Sequence, residues 1–385
     1  MAIASSISAT DGSWTVSLEE LETPVPLVDL DRLDRNLGRM AAYTRAHGLA
    51  LRPHTKTHKS PRIAQEQVQR GAIGLTCATP REAEVMASVS QDLLLAYPPV
   101  GEARLRRLMA LPDHVRLTVA LDSRESADQL ARAGNERGRT TGVYVEVDLG
   151  MHRVGMVRAE EVVKLIGFVS ERRSLSYRGI AFYPGHIRSL SAGEDELDRL
   201  ASDLQNTIRT LDDAGLSPPV VSGGSTPTVW ESHRIAGLTE IRPGTYVYND
   251  RITAQAGACD WNDCALTVLA TVVSTAVPGQ AVLDAGSKSL GREPSGSVES
   301  GFGSLLDRPE VVVAKLSEEH GILDLRGTRW RPAIGDRVRI IPNHVCIAVH
   351  LHEVIYGVRG EQIQTSWPVA ARGRLQADSI SMSRA

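Results

Sequence analysis

Cysteine is scarce in this sequence, with four residues in a chain of 385. So few thiols exclude the disulfide framework of a small secreted domain. Cys259 and Cys264 could form a redox pair or a metal clip, but their spacing fits no common ligand pattern. We therefore interpret them as two ordinary thiols. Cys346 differs, because a histidine stands two positions before it.

An excess of charge of one sign and long apolar runs are also missing. The net charge is −3, with both signs interspersed, and this gives no long-range field to attract nucleic acid. No stretch approaches the roughly 18 consecutive apolar residues that span a bilayer, and residues 1–17 lack the basic and apolar regions of a signal peptide. We therefore expect no nucleic-acid or membrane partner and a cytoplasmic location.

Short β-type runs alternate with helical patterns between residues 24 and 262. A strand candidate at 27–30 and its helix open this series. Further strand candidates follow at 49–53, 74–78, 93–97, 115–121, 143–148, 177–182, 220–222 and 239–242. About eight strand–helix alternations over about 220 residues favour a (β/α)8 TIM-type barrel over an open sheet.

The pattern changes after Cys264 to β-branched runs separated by turn residues. These runs lie at 266–276, 280–284, 310–316, 336–341 and 346–356. They predict a separate antiparallel β domain over 263–372, which the N-terminal segment 1–23 would join. Residues 373–385 are expected to form a loose tail.

The octapeptide Arg-Pro-His-Thr-Lys-Thr-His-Lys (52–59) follows what we take as the second barrel strand. Side chains at the C-terminal ends of barrel strands face the active site, so these residues are well placed for chemistry. The alternative is a solvated basic loop without a function.

Three motifs in order carry a family resemblance: Pro-Leu-Val-Asp-Leu-Asp (26–31), Leu-Arg-Pro-His-Thr-Lys-Thr-His-Lys (51–59) and Thr-Cys-Ala-Thr-Pro-Arg-Glu-Ala-Glu (76–84). Together they resemble the fold-type III pyridoxal 5′-phosphate enzymes of the D-threonine aldolase and D-serine dehydratase family. The resemblance runs from about residue 24 to about residue 356. It implies an alanine-racemase-like barrel that carries pyridoxal phosphate.

The resemblance makes Lys56 the Schiff-base lysine, with Lys59 as the competitor. Arg153, in Asp-Leu-Gly-Met-His-Arg-Val-Gly (148–155), would approach the phenolate side of the cofactor. Tyr183, in Phe-Tyr-Pro-Gly-His (182–186), would lie against its pyridine ring. His54 is a further candidate cofactor contact, and His186 is a weaker candidate for touching substrate.

Two glycine-containing segments, 221–226 and 242–248, come from the last barrel strands, where TIM-type folds usually hold phosphate. A Gly-Gly-Ser run alone would be merely a turn. With the racemase-like Arg-Pro-Gly, the two segments resemble a phosphate cup, with Arg242 a candidate partner of the ring nitrogen. The candidate binding residues are Gly224, Ser225, Thr226, Arg242, Gly244, Thr245, Tyr246 and Tyr248.

His344 and Cys346 would project from the same face of an extended segment and could share one metal ion. Either residue could instead simply be buried. The resemblance implies a divalent metal here, zinc, manganese or magnesium, beside the substrate's β-hydroxyl, and a cysteine ligand favours zinc. Well-known aldolases of the family tend to have aspartate at the second position, whereas dehydratases tend to have cysteine.

The function implied is that of a metal-dependent pyridoxal-phosphate lyase acting on a small D-configured β-hydroxy amino acid. Retro-aldol cleavage to glycine and an aldehyde is slightly favoured by the Met-His-Arg-Val-Gly (151–155) and Tyr-Pro-Gly-His (183–186) segments. Dehydration to a keto acid and ammonia is the alternative that Cys346 supports. Racemisation fits less well, because it usually needs a catalytic tyrosine from the C-terminal domain and would leave the metal pair superfluous. Cofactor carriage without turnover fits less well, because such carrier proteins end after the barrel and lack the additional domain. Related barrels are commonly dimers, so we expect a homodimer.

Overall fold

The computed structural model describes residues 16–296 and 300–373, so the predictions for residues 1–15 and for most of the tail lie outside the described residues. The described chain begins with strands β1 (Val16–Ser17) and β2 (Val25–Asp29) and helix α1 (Leu30–Ala46). Among the helices of residues 16–296 and 300–373, none is long and apolar enough to cross a bilayer.

The barrel follows α1 and alternates strands with helices. Its elements are β3 (Ala50–Leu51), α2 (Pro61–Gln69), β4 (Leu75–Cys77), α3 (Pro80–Met86), β5 (Asp92–Leu95), α4 (Glu102–Met109), β6 (Arg116–Leu121), α5 (Arg124–Arg137), β7 (Thr141–Glu146), α6 (Ala159–Ser170), β8 (Leu175–Ala181), α7 (Leu190–Asp213), β9 (Val221–Gly223), β10 (Glu240–Ile241) and α8 (Arg251–Gln255).

Eight parallel strands form the barrel sheet in the order β3-β10-β9-β8-β7-β6-β5-β4. A parallel bridge between His54 and Thr76 joins the segment after β3 to β4, so the two ends of the sheet meet. The predicted (β/α)8 barrel is therefore confirmed, and each strand candidate from 49–53 to 239–242 forms one of its strands.

The prediction that the strand at 27–30 opens the barrel is wrong. Strand β2 pairs with two strands of the C-terminal part of the chain, antiparallel through Val28 and Leu266 and parallel through Leu27 and Tyr356. An apolar run does not reveal which sheet it joins, because both environments bury it. The 52–59 octapeptide consequently follows the first barrel strand, not the second.

The second sheet has ten strands in the described residues. After α8 the elements are β11 (Leu266–Ser274), β12 (Gln280–Leu283), α9 (Ser287–Leu290), β13 (Gly303–Leu305), β14 (Val313–Leu316), β15 (Gly321–Asp324), β16 (Arg337–Pro342), α10 (Val345–Leu351), β17 (Val354–Arg359) and β18 (Gln362–Pro368). All pairings of this sheet are antiparallel except that of β17 with β2. The predicted antiparallel β domain is confirmed, and β1 pairs with β18 at its edge.

The strand predicted over 346–356 is wrong in its first half. Helix α10 occupies these positions, with His344 as its N-cap residue. Its buried residues Val345, Ala348 and Val349 follow the i, i+3, i+4 spacing of a helix face. His344 and Cys346 therefore lie at a strand-to-helix corner and not on one face of a strand.

Candidate active site

A cleft opens at the C-terminal end of the barrel strands and encloses about 610 Å³ of space, part of it open to solvent. The lining residues are His54, Lys56, Ala96, Glu146, Arg153, Tyr183, Gly224, Ser225, Thr226, Pro227, Arg242, Gly244 and Thr245. The structure thus brings together ten of the residues selected from the sequence.

The two lysines of the octapeptide have different surroundings. Lys56 lines the cleft, with its Nζ 5.7 Å from the centroid of the Tyr183 ring. Lys59 lies in a buried ion pair, with its Nζ 2.5 Å from Oε1 of Glu82. Oε2 of Glu82 also accepts a hydrogen bond from the backbone N–H of Ala78. Lys56 is therefore the lysine whose amine faces the cleft.

Tyr183 lies between Lys56 and Arg153. The Arg153 guanidinium carbon is 4.9 Å from the centroid of the Tyr183 ring. A Cβ at position 185 would come within 2.2 Å of the same ring, so the glycine there lets the tyrosine keep its position. The aromatic face and the two cations form one wall of the cleft.

His186 follows this wall at the end of the same strand. Its imidazole packs against Gly150, where an added Cβ would come within 3.1 Å of Nε2. The buried Nδ1 of His186 has no hydrogen-bond partner within the described residues. His54 lines the cleft, and burial and the charges of Lys56 and Arg242 keep its pKa well below the ordinary value.

The glycine segments present backbone donors to the cleft. Within residues 16–296 and 300–373, the N–H groups of Gly224, Ser225, Thr226, Gly244 and Thr245 donate to no backbone or side-chain acceptor. Gly224 has a φ of +88°, which favours glycine. A Cβ at Gly244 would lie 3.0 Å from a carbonyl oxygen of the Lys56 turn, so glycine permits close packing there. Several free amides at one site form an anion cradle.

Arg242 lines the cleft, and two hydrogen bonds fix its side chain. Its guanidinium donates to Oγ of Ser222 at 2.5 Å and to the carbonyl oxygen of Phe182 at 2.9 Å. Glu146 also lines the cleft, although no sequence motif pointed to it. Burial raises the pKa of Glu146, although the charges of Arg242 and Arg153 oppose the shift. Its place at the end of β7 was the signal that could have identified it.

Tyr246 and Tyr248 do not join the lining of the cleft. Both side chains are buried, and the Tyr246 hydroxyl accepts a hydrogen bond from Nε2 of Gln67 at 2.9 Å. Their segment nevertheless supplies Gly244 and Thr245 to the cleft. A direct binding role for the two tyrosines stays a prediction.

His344 and Cys346 lie close to the segment that carries Lys56. Sγ of Cys346 is 3.2 Å from Oγ1 of Thr57, the residue that follows Lys56. Partial burial opposes a charged imidazole, but the Cys346 thiolate and the Asp250 carboxylate raise the pKa of His344 to about 11. Burial likewise opposes the thiolate, yet the charges of His344 and Lys56 lower the pKa of Cys346. Each of the two side chains therefore favours the charged form of the other.

Among the described residues, no third protein ligand joins this pair. The described part of the chain contains no cluster of three or more histidine, cysteine, aspartate or glutamate residues that could hold a metal ion. A metal bound by His344 and Cys346 would complete its coordination with water or substrate oxygens.

The lysine in the cleft, the amide cradle opposite it and the separate β domain together define a class: pyridoxal-phosphate enzymes with an alanine-racemase-like barrel. Two family models match, the alanine racemase N-terminal domain over residues 28–251 and the putative serine dehydratase domain over residues 265–358. The chain belongs to the D-threonine aldolase and D-serine dehydratase family of fold-type III pyridoxal-phosphate lyases.

Individual relatives include both aldolases and dehydratases. The chain is 31% identical over 369 residues to 3-hydroxy-D-aspartate aldolase of Paracoccus denitrificans (strain Pd 1222), covering 92% of this chain and 93% of the relative. The crystal structure of D-threonine aldolase from Filomicrobium marinum superposes with a TM-score of 0.86 at 31% identity, covering 94% and 99% of the two chains. A cysteine-to-alanine mutant of D-threo-3-hydroxyaspartate dehydratase, solved in the metal-free form, superposes with a TM-score of 0.82 at 31% identity. The match covers 92% of this chain and 98% of the dehydratase chain.

Proposed function

We propose that this lyase cleaves D-configured β-hydroxy-α-amino acids by a retro-aldol reaction that releases glycine and an aldehyde. The observation that carries the proposal is the adjacency of two groups of residues. Lys56 faces the cleft with the amide cradle, and its neighbour Thr57 contacts Cys346 of the candidate metal pair. An amine-binding centre and a centre for the substrate's β-oxygen would therefore lie side by side.

The residues of the cleft fit pyridoxal phosphate. The amides at Gly224, Ser225 and Thr226 match the oxygens of a phosphate. Lys56 supplies the amine for covalent attachment, and the Tyr183 ring supplies an aromatic face for a planar ring. Arg153 and Arg242 are cations at the edges of the same cleft.

The residues of the corner at His344 also fit a divalent metal ion. A thiolate and an imidazole are the donors that zinc prefers. The related dehydratase whose cysteine-to-alanine mutant is described as metal-free supports a metal role for a cysteine in this family. We propose His344 and Cys346 as the two protein ligands, with zinc, manganese or magnesium as the candidate ions.

In this proposal Lys56 would hold the cofactor, which would supply a sink for the electron pair released at Cα, and His344 and Cys346 would hold the metal, which would supply a Lewis acid for the β-oxygen. The chain's own residues orient the substrate and move its protons. His186, three residues after Tyr183 and with an unpartnered Nδ1 among the described residues, is our candidate to accept the β-hydroxyl proton. Arg153 would hold the cofactor's phenolate edge.

Dehydration to a keto acid and ammonia is the second candidate. Cys346 favours it, because cysteine at this position is the residue that the family's dehydratases tend to have. In that reaction Lys56 would take the Cα proton before the hydroxyl group leaves. The relatives at about 31% identity include an aldolase and a dehydratase, so sequence identity does not favour either reaction.

Product analysis separates the two reactions. The purified protein with pyridoxal phosphate and a divalent metal is incubated with D-threonine, and the L-isomer serves as the control. We expect glycine and acetaldehyde in equal amounts from the D-isomer only. A keto acid with ammonia would replace the aldolase proposal with the dehydratase one, and absence of both products with D-threonine, D-serine and D-3-hydroxyaspartate would contradict the substrate class.

A further inference from the structure

We infer that Asp250 is the positioning residue of the metal centre: it fixes the orientation and tautomer of His344 and thereby sets the affinity for the metal. The inference rests on the proposed metal site at His344 and Cys346. It adds a residue of the barrel, 94 positions before His344 in the chain, to a site whose two ligands belong to the β domain.

The carboxylate of Asp250 is completely buried and has four hydrogen-bond donors. Oδ2 lies 3.2 Å from Nδ1 of His344 and accepts from the backbone N–H of Val345 at 2.9 Å. Oδ1 accepts from the backbone N–H and the hydroxyl of Thr253 at 2.8 and 2.6 Å. Every lone-pair direction of the carboxylate is therefore used, and the group cannot rotate without losing several bonds.

This contact determines which imidazole nitrogen remains available. An ionised carboxylate only accepts hydrogen bonds, so Nδ1 of His344 must carry the proton that points at Asp250. Metal binding requires loss of the other ring proton, and the lone pair for a metal is then at Nε2. A carboxylate partner also makes a histidine ligand more basic, and loss of such partners typically weakens metal binding about 10–100-fold.

Neighbouring contacts hold the His344 corner against the barrel. Arg251 donates to Oδ1 of Asn343 at 3.1 Å and to the carbonyl oxygen of Ser300 at 2.6 Å. The backbone N–H of Ile252 donates to the carbonyl oxygen of Asn343 at 3.2 Å. Hydrogen bonds from the start of α8 thus hold the segment just before the metal pair in place. The histidine is aligned by the barrel that holds Lys56 and not by its own domain alone.

Asp250 has a second, structural role, and an experiment must separate it from the contact with His344. It is the N-cap residue of α8, because Oδ1 accepts from the N–H of Thr253. Serine also caps helices but is too short to reach His344. Asp250→Ser therefore retains the cap and removes the contact with the imidazole. Asp250→Asn keeps the size and shape of the side chain. Its NH2 group, however, must face other hydrogen-bond donors, either those of His344 and Val345 or those of Thr253.

The experiment measures Zn²⁺ affinity of the cofactor-loaded protein by competition with a chromophoric chelator. We expect Asp250→Ser to weaken Zn²⁺ binding about 10–100-fold and Asp250→Asn about tenfold. Ser123→Ala, which removes the N-cap of α5, is the matched control and should stay within about twofold of wild type. Visible absorbance of the cofactor checks that the cleft is intact in each variant.

Three outcomes are decisive. Weakened Zn²⁺ binding with retained cofactor absorbance in either Asp250 variant supports the inference. Affinities of both variants within about twofold of wild type overturn it and leave the metal site standing. A wild-type protein that binds cofactor but no Zn²⁺ overturns the metal site, and this inference with it. If Asp250→Ser does not fold, the isosteric Asp250→Asn decides.

Discussion

Nζ of Lys59 lies 2.5 Å from Oε1 of Glu82 in a buried ion pair, while Lys56, three residues earlier, faces the cleft. Withdrawing Lys59 from this pair would leave the Glu82 carboxylate buried without its counter-ion, which is strongly unfavourable. The ion pair therefore supports Lys56 as the residue that attaches the cofactor, and it gives Lys59 a structural role beneath the same turn.

The two lysines should respond differently to substitution. Lys56→Ala should lose the visible absorbance of lysine-bound cofactor but keep its fold. Lys59→Met should keep that absorbance and lower the free energy of unfolding by about 3–5 kcal/mol, since Glu82 loses its partner. Absorption spectra and urea unfolding measure the two effects. A coloured Lys56→Ala with a colourless, folded Lys59→Met would assign attachment to Lys59.

The backbone at Gly224 should control cofactor affinity. Alanine there meets no close neighbour, but a φ of +88° costs a non-glycine residue about 1–2 kcal/mol, which the loop can relieve only by moving its amides. We expect the dissociation constant for pyridoxal phosphate to rise about 5–30-fold. Gly48→Ala, with a φ of +63° and open space around it, is the control for strain alone and should leave the affinity unchanged. Equal affinities in both variants would contradict the cradle.

Stability should fall in mild acid because of His58. Burial is the main cause that lowers the pKa of this histidine to about 3, so it stays neutral in the folded protein. The unfolded chain binds the proton near pH 6.5, and stability is therefore complete above that pH and lost progressively between about 6.5 and 3.

At pH 5 this loss amounts to about 2 kcal/mol from His58. Urea unfolding of wild type and His58→Gln at pH 7.5 and pH 5 measures it, and the variant should show a smaller difference between the two pH values. His54, whose pKa is also lowered, adds a loss of the same sign in both proteins. Identical pH dependence in the two proteins would show that His58 does not remain neutral.

Removal of either proposed metal ligand should separate cofactor binding from turnover. His344→Ala and Cys346→Ala should keep the cofactor's visible absorbance and lose metal-dependent turnover at least about tenfold. Chelation of the wild-type protein should have the same effect and be reversed by added metal. Cys259→Ala removes a thiol elsewhere and should leave turnover unchanged. Full activity of His344→Ala would refute the metal site.

The barrel was predictable because its strands recur with regular spacing and their ends carry the polar residues. The octapeptide and the glycine segments were placed at strand ends from the sequence pattern, whereas the roles of Lys56, Arg153 and Tyr183 came from the family resemblance. All of them contribute to the lining of one cleft. The partner of β2 was not predictable, because a short apolar run is compatible with either sheet. Neither was helix α10, where His350 and His352 alternate with apolar residues in a pattern typical of a strand.

The features that the sequence could not predict depend on contacts between residues far apart in the chain. The hydrogen bond between Asp250 and His344 joins residues 94 positions apart, and no spacing rule connects them. Glu146 belongs to no motif of its own, and only its place at the end of β7 relates it to the cleft. Which reaction the site performs depends on proton transfers within the cleft, and composition and periodicity carry no information about those.

The fate of the Cα proton tests the central claim most directly. Retro-aldol cleavage breaks the Cα–Cβ bond and keeps the original Cα hydrogen, whereas dehydration must remove it. With D-threonine deuterated at Cα, we expect glycine that retains the deuterium, one acetaldehyde per glycine and a rate ratio of about 1 against unlabelled substrate. Release of the deuterium to solvent, with a keto acid, ammonia and a slower labelled substrate, would contradict the proposal.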